Sequence, residues 1–288
     1  MRLSFRRVEK FVVLATLATV VVVGALRLGV GRFLSSTQGK AMVANRLGSA
    51  LGMPVEVSEI NVGDASSSFR FRVMDPADPK AEVLNVTSAS ADVSAADLVT
   101  GRVAPSALKL SGASLTLRVA PDGQVLTPLP PLPGGSGPVP TVIIQNGSVS
   151  ISQAGRPPFA LHGINLKLEP AGPIIALSGD VNDPKWGAWT VRGEVLRDTR
   201  TGWVELESRN APLDAPLLAS VPFVPQNLFD EVMSTDRAAV VVRLSVSSDR
   251  DVLPAVEIRQ TRRIFGIPVE ATIRLAPTSD SYLLVPLP

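Results

Sequence analysis

The chain has 288 residues, enough for one large or two modest domains, with 45% hydrophobic content, 22 Gly and 25 Pro. Its formal charge of +2 and pI of about 9.2 come from one end: residues 1–40 hold seven of the 28 Lys/Arg and only Glu9 of the 26 Asp/Glu, leaving 21 basic and 25 acidic groups beyond them. That distribution argues against a nucleic-acid partner, and the absence of Cys excludes thiol chemistry and Cys-ligated metals.

The first element is the uncharged run Phe11–Leu26, preceded by Arg2, Arg6, Arg7 and Lys10. Continued past Arg27 to Leu28 and Val30, it reaches about 20 residues, enough to span a ~30 Å hydrocarbon core. The positive flank predicts a cytoplasmic N-terminus with the bulk of the chain exported. A cleaved secretory signal is the alternative, and it exports the same remainder. Thr37 then caps a predicted helix to about Leu51, with Val43, Leu47 and Leu51 as its apolar stripe and Gly52 as its left-handed stop.

Period-two alternation takes over at Pro54-Val-Glu-Val57, with a phase shift near Ser58-Glu59 that predicts a bulge. It recurs in Phe69–Val73, Leu115–Val119, Val149–Ile151, Ile164–Leu168, Trp189–Val195, Trp203–Glu207, Val242–Val246, Val256–Arg259 and Val269–Leu275, and the chain ends on the apolar Tyr282–Pro288. About a dozen one-faced strands are predicted, separated by turns at Asp75–Pro79, Pro121–Gly123, Asn146-Gly147 and Asn182–Pro184. Short helices are predicted at Ala95–Thr100, Ala215–Val221 and Asn227–Ser234. So few helices cannot cover so much apolar sheet. The sheet must close on itself or bind something with its apolar face.

Thr127–Pro140 is the one clear linker, a polyproline II core with a Gly/Ser step, read as an exposed excursion between strands. On either side of it, Leu108–Leu117 and Ile143–Ile151 resemble each other: apolar alternation, a Gly, then alternation again. The chain divides accordingly into 1–36 (cytoplasmic stub and anchor), 37–52 (membrane-proximal helix), 53–126 (first β segment), 127–140 (linker) and 141–288 (second β segment).

Several short motifs are similar, in order, to the N-terminal part of the AsmA-like family of bacterial envelope proteins. They are Leu51-Gly-Met-Pro-Val-Glu-Val57, Leu84-Asn-Val86 with Ala91–Ser94, Asp97–Val103, Leu108-Lys-Leu110, Leu115-Thr-Leu117 with Asp122-Gly123, and Ile144–Ile151. The resemblance covers about residues 10–180. It implies a mainly β fold: a transmembrane helix and short helix, then an elongated, twisted, mostly antiparallel sheet forming a taco-like groove. It also implies a single-pass protein of the bacterial inner membrane, its bulk periplasmic, whose groove carries phospholipid acyl chains towards the outer membrane. Family members that bridge the periplasm are much longer than this chain.

Catalytic chemistry finds little support. His162, the single histidine, has no nucleophile or acid in a recognisable motif and reads as a turn residue. Asp64, Asp75 and Asp78 read as turn chemistry rather than a calcium site, and Glu205 and Glu207 as a wet strand face. Trp186, Trp189 and Trp203 fall in neighbouring strands and read as core packing. The expectation is a non-enzyme without cofactor or metal, with acyl chains and the inner membrane as partners and other envelope proteins as a further class. The residues expected to line the groove are Phe69, Phe71, Leu115, Leu117, Val149, Ile151, Ile164, Leu166 and Leu168. Lipid would enter beside the first strand, next to the bilayer. The competing expectation is a structural or assembly factor that docks envelope proteins by edge-strand pairing.

Overall fold

The computed structural model describes residues 3–4, 36–62, 66–92, 105–121, 126–128, 140–197, 199, 201–222, 237–246, 251–264, 267–277 and 282–286. The run Phe11–Leu26 and the helices expected at 95–100 and 227–234 lie outside these. Among the described residues, no helix is long and apolar enough to cross a membrane.

The predicted helix is present as α1, Thr37–Leu51. Its N-cap is Ser36, one residue before the expected Thr37: the Ser36 hydroxyl accepts from the Gly39 N–H at 3.1 Å. Gly52 closes it at φ 61, as its lack of a Cβ allows. Val43, Leu47 and Leu51 are buried. The second helix, α2, is Ala215–Ala219, capped by Asp214.

The described strands form one sheet. Its strands are β1 (Leu3–Ser4), β2 (Val55–Val62), β3 (Ser67–Met74), β4 (Glu82–Ala91), β5 (Ala107–Val119), β6 (Thr141–Gln153) and β7 (Phe159–Ala171). They continue as β8 (Ile174–Asp183), β9 (Gly187–Leu196), β10 (Gly202–Pro212), β11 (Arg237–Val246), β12 (Asp251–Ile264), β13 (Ile267–Pro277) and β14 (Tyr282–Pro286). From β2 to β14 the spatial order follows the chain, and the path does not close. The two-residue β1 pairs with β12, Leu3 opposite Val252.

Every neighbouring pair is antiparallel except β5–β6, which is parallel with Leu108 opposite Val142. A parallel pair needs a long return, and the Pro/Gly-rich 127–140 lies within that connection. The two β segments are thus joined edge to edge in one sheet. The resembling stretches on either side of the linker have become direct neighbours. Asn146-Gly147, expected as a turn, lies inside β6 as a bulge, with Asn146 at φ 51.

That bulge belongs to a row. Ser58 is the extra residue of β2, as predicted. Across β3, β4 carries an extra residue at Thr87–Ser88. Next, Gly112 at φ 61 in β5 lies level with Asn146 in β6. β7 follows with Gly163 at φ 62. Five of the six adjacent strands β2–β7 are therefore irregular along one line, where bulges sharpen the right-handed twist.

Candidate functional site

The register carries one apolar face across the sheet. Phe71 pairs with Val57 and Val86, Leu84 with Leu115, and Leu115 with Val149. Val149 pairs with Leu161, Ile164 with Val181, and Val181 with Trp189. Gly193 pairs with Val204, and Leu206 with Val242. The same parity aligns Val242 with Val256 and Val256 with Leu275. The opposite face carries Arg70, Lys109, Ser150, Lys167, Arg192 and Glu205. All nine residues expected to line a groove lie on the apolar face.

They differ in exposure. Phe69, Phe71, Leu115, Ile164 and Leu168 are buried, Phe71 completely, whereas Leu117, Val149, Ile151 and Leu166 are half-buried. The difference does not follow position in the sheet: Leu117, Val149 and Ile151 belong to β5 and β6, and Ile164 and Leu168 to β7. Val73, Val86 and Leu108 are fully inaccessible, and with the α1 stripe and Ile164, Leu168, Leu177, Val181 and Val191 they form one packed cluster. Phe69 stacks on Phe71 with centroids 5.5 Å apart. Leu161, Leu166, Ile175, Val204 and Leu206 pack against that cluster partly buried, and Trp189 and Val242 also pack against a second one, of Ala211, Leu213, Leu218, Ala238 and Val240. A loop closes the Val119 edge, where Gln153 Nε2 donates to the Pro121 carbonyl and the Arg118 N–H to Thr127 Oγ1.

Strands β8–β10 share a further peculiarity. At Gly179, Gly193 and Gly202 a neighbouring strand's backbone occupies the space of a side chain. A Cβ there would stand inside the 3.0 Å that real Cβ contacts respect, against the carbonyl oxygens of Asn165, Trp203 and Glu194 respectively. Gly179 pairs with Val191, two residues from Gly193, which pairs with Val204, two residues from Gly202. The three glycines make a diagonal. Strand-interior glycines of this kind mark tight bends of a sheet.

The three tryptophans do not form one cluster. Trp186 is buried, 5.2 Å from Phe159, and donates to the Ala160 carbonyl. Trp189 sits on the half-buried apolar face with its indole N–H on the Trp186 carbonyl. Trp203 is on the other face, beneath Arg243 at 4.8 Å.

The polar constellations serve the fold. Asp75 is buried, accepts from the Ala77 N–H at 2.8 Å and pairs with Arg118. Asp78 accepts from the Lys80 N–H, so both aspartates do turn chemistry; Asp64 is outside the described residues. Glu205, also buried, takes Arg192 Nε at 2.8 Å and lies 3.7 Å from Arg243. Asp92 binds Ser106 and the Ala107 N–H.

His162 does have an acid, which the sequence did not reveal because it lies 21 residues away. Its Nδ1 is 3.1 Å from Asp183 Oδ2. Burial works to raise the Asp183 pKa. The N–H groups of Trp186, His162 and Lys185 together with the imidazole outweigh it and hold the carboxyl below its usual range. The carboxylate thereby ties the β8–β9 turn to β7, while the imidazole itself is more than half exposed.

No protein-family model matches the chain, and neither a curated protein nor a solved structure is similar to it.

Proposed function

We propose that the protein is a membrane-anchored carrier whose sheet wraps an apolar groove around phospholipid acyl chains, in the manner of the AsmA-like proteins it resembles. The carrying observation is the continuous apolar face, in register from β2 outward, on which buried residues alternate with partly covered ones. Hydrocarbon burial is non-directional and stabilises by roughly 0.8 kcal/mol per CH₂, so such a site needs no reacting group. The nine lining candidates divide by exposure: Phe69, Phe71, Leu115, Ile164 and Leu168 build the wall, while Leu117, Val149, Ile151 and Leu166 face accessible space.

In this reading Phe11–Leu26 anchors the chain, and β1 leaves β12. Ten Val, Leu and Phe in that run favour insertion by about 3–6 kcal/mol. The two-residue ladder contributes about 1–2 kcal/mol. The anchor wins.

The test is lipid mass spectrometry on the intact protein purified in detergent that does not strip tightly held lipid. A stoichiometric phospholipid above the level of an unrelated single-pass control is expected. Lipid at the control level would overturn the carrier reading. A second reading, a docking factor working by strand addition, has its own support: β2 and β14 each have one sheet neighbour among the described residues.

A further inference from the structure

Antiparallel neighbours need only about two to five residues between them, yet β10 and β11 are joined by residues 213–236. The first part of this connection lies on the apolar face. Leu213 and Leu218 pack with Ala211, Ala238 and Val240, and Trp189, Val221 and Val242 lie against them. Its far end meets the β6–β7 turn, where Arg156 Nη1 donates to the Val221 carbonyl at 2.7 Å, although β8 and β9 stand between β7 and β10 in the sheet. We infer that residues 213–221 are a releasable strap over this part of the face, latched by Arg156. The inference rests on the carrier reading for its purpose: a lifted strap uncovers the side of Trp189 that it now hides.

The floor beneath the strap is fixed. Trp189 lies in β9, which is paired on both sides, and its indole N–H donates to the Trp186 carbonyl at 2.8 Å. Trp186 is held in turn by the Ala160 carbonyl, the Phe159 ring and the buried Asp183 carboxylate. The strap is built differently. Its backbone bonds run within itself, from the Leu218 N–H to Asp214, Ser220 to Leu217 and Val221 to Leu218. Lifting it therefore breaks no ladder and orphans no backbone group. Its helix α2 has five residues, too few to persist without packing. Two leucines and the Arg156 bond hold it down, and Arg156 and the Val221 carbonyl can both exchange that bond for water. The floor stays while the strap moves.

Trp189 reads the strap from below. In the intact protein carrying Trp186→Phe and Trp203→Phe, Arg156→Ala is expected to raise acrylamide quenching of Trp189 severalfold. Arg156→Lys keeps a donor and should restore much of the shielding. The chain has no Cys, so a bismaleimide joining Arg156→Cys to Val221→Cys replaces the latch covalently and should return quenching to the parent level. Trp203 on the other face is the control: as the sole tryptophan it should quench equally with and without Arg156. If Trp186→Phe unfolds the chain, the native protein compared with its Trp189→Phe variant isolates the same signal. Unchanged Trp189 quenching in Arg156→Ala would overturn the strap, and so would an equal rise at Trp203, which marks general loosening. Dibromostearate, a quencher with an alkyl chain, separates the strap from carriage. It should quench Trp189 in Arg156→Ala and not in the tethered protein. Quenching by acrylamide alone would leave the strap standing and remove alkyl chains from this part of the face.

Discussion

Leu108 and Leu166 provide the sharpest test of a face divided into core and cavity. Both sit on the apolar side of long strands, and alternation alone makes them equivalent. Leu108 is fully inaccessible and lies between Ala91 and Val142, both buried. Leu166 is half-buried, with Ile144 on one side and Gly179, which has no side chain, on the other. Truncating Leu108 to Ala forfeits about 2 kcal/mol of transfer free energy, and the closed cavity left behind brings the total to about 3–4 kcal/mol. Truncating Leu166 loses about half the transfer term and leaves a site already open, so about 1 kcal/mol is expected.

Urea unfolding of the intact protein in detergent, followed by far-UV circular dichroism, reads both. With a slope near ~3 kcal/mol/M for a domain of this size, Leu108→Ala should lower the midpoint by about 1 M and Leu166→Ala by about 0.3 M, with unchanged slopes. Equal shifts would mean that the half-buried leucine is ordinary core and would refute the reading of its surroundings as accessible space.

Asp183 makes stability acid-sensitive. Its folded pKa is held low, so its contribution is present above the unfolded value of about 3.9 and lost as pH falls through the folded one. Asp183→Asn should flatten the loss of melting temperature below about pH 4, and a variant as acid-sensitive as the parent would remove Asp183 as the cause. Asp75→Ala leaves the Ala77 N–H and Arg118 without their buried acceptor and should cost about 1–3 kcal/mol in a thermal melt, with Asp75→Asn costing less; equal losses would show that the turn bond is worth little. Gly112→Val forces a branched side chain to φ 61 and brings its Cβ to 2.9 Å from Thr87 Oγ1, for a cost of about 2 kcal/mol or more. Gly112→Asn should lose less, because Asn146 already holds φ 51 at the level position of the next strand; no difference between the two would discount the bulge row as a backbone constraint.

What was legible in the chain is whatever has a local period. Val43, Leu47 and Leu51 declare one helix stripe, the phase slip at Ser58 declares a bulge, and strict alternation puts all nine lining candidates on one face. The likeness of Leu108–Leu117 to Ile143–Ile151 foreshadows the parallel pair, although the sheet sets Gly112 level with Asn146 rather than with Gly147. What stayed hidden is non-local. Nothing in Leu115-Thr-Leu117 says that Leu115 is dry and Leu117 half-open, because burial depends on what lies above the face. Asp183 is ordinary turn chemistry until β8 brings it beside His162. Asn146-Gly147 has the composition of a hairpin turn, and only its neighbours convert it to a bulge.

The same division changes where a lipid would enter. Proximity of α1 and β2 to an anchored N-terminus makes the first sheet edge the natural mouth, but that is the end where Leu47, Leu51 and Met53 join Phe71 and Leu108 in one packed cluster. Opening it would expose a core whose single leucines are worth several kcal/mol each. The other direction has a barrier of its own: Leu213 and Leu218 of α2 and its approach pack with Ala211, Ala238 and Val240, and Trp189 and Val242 lie against them. Beyond that contact the apolar register runs on through Val256 to Leu275 and Leu284. A carrier built this way would be packed at both helices, and an alkyl chain would have to lie along the partly covered positions between them, such as Leu166, Ile175 and Val204.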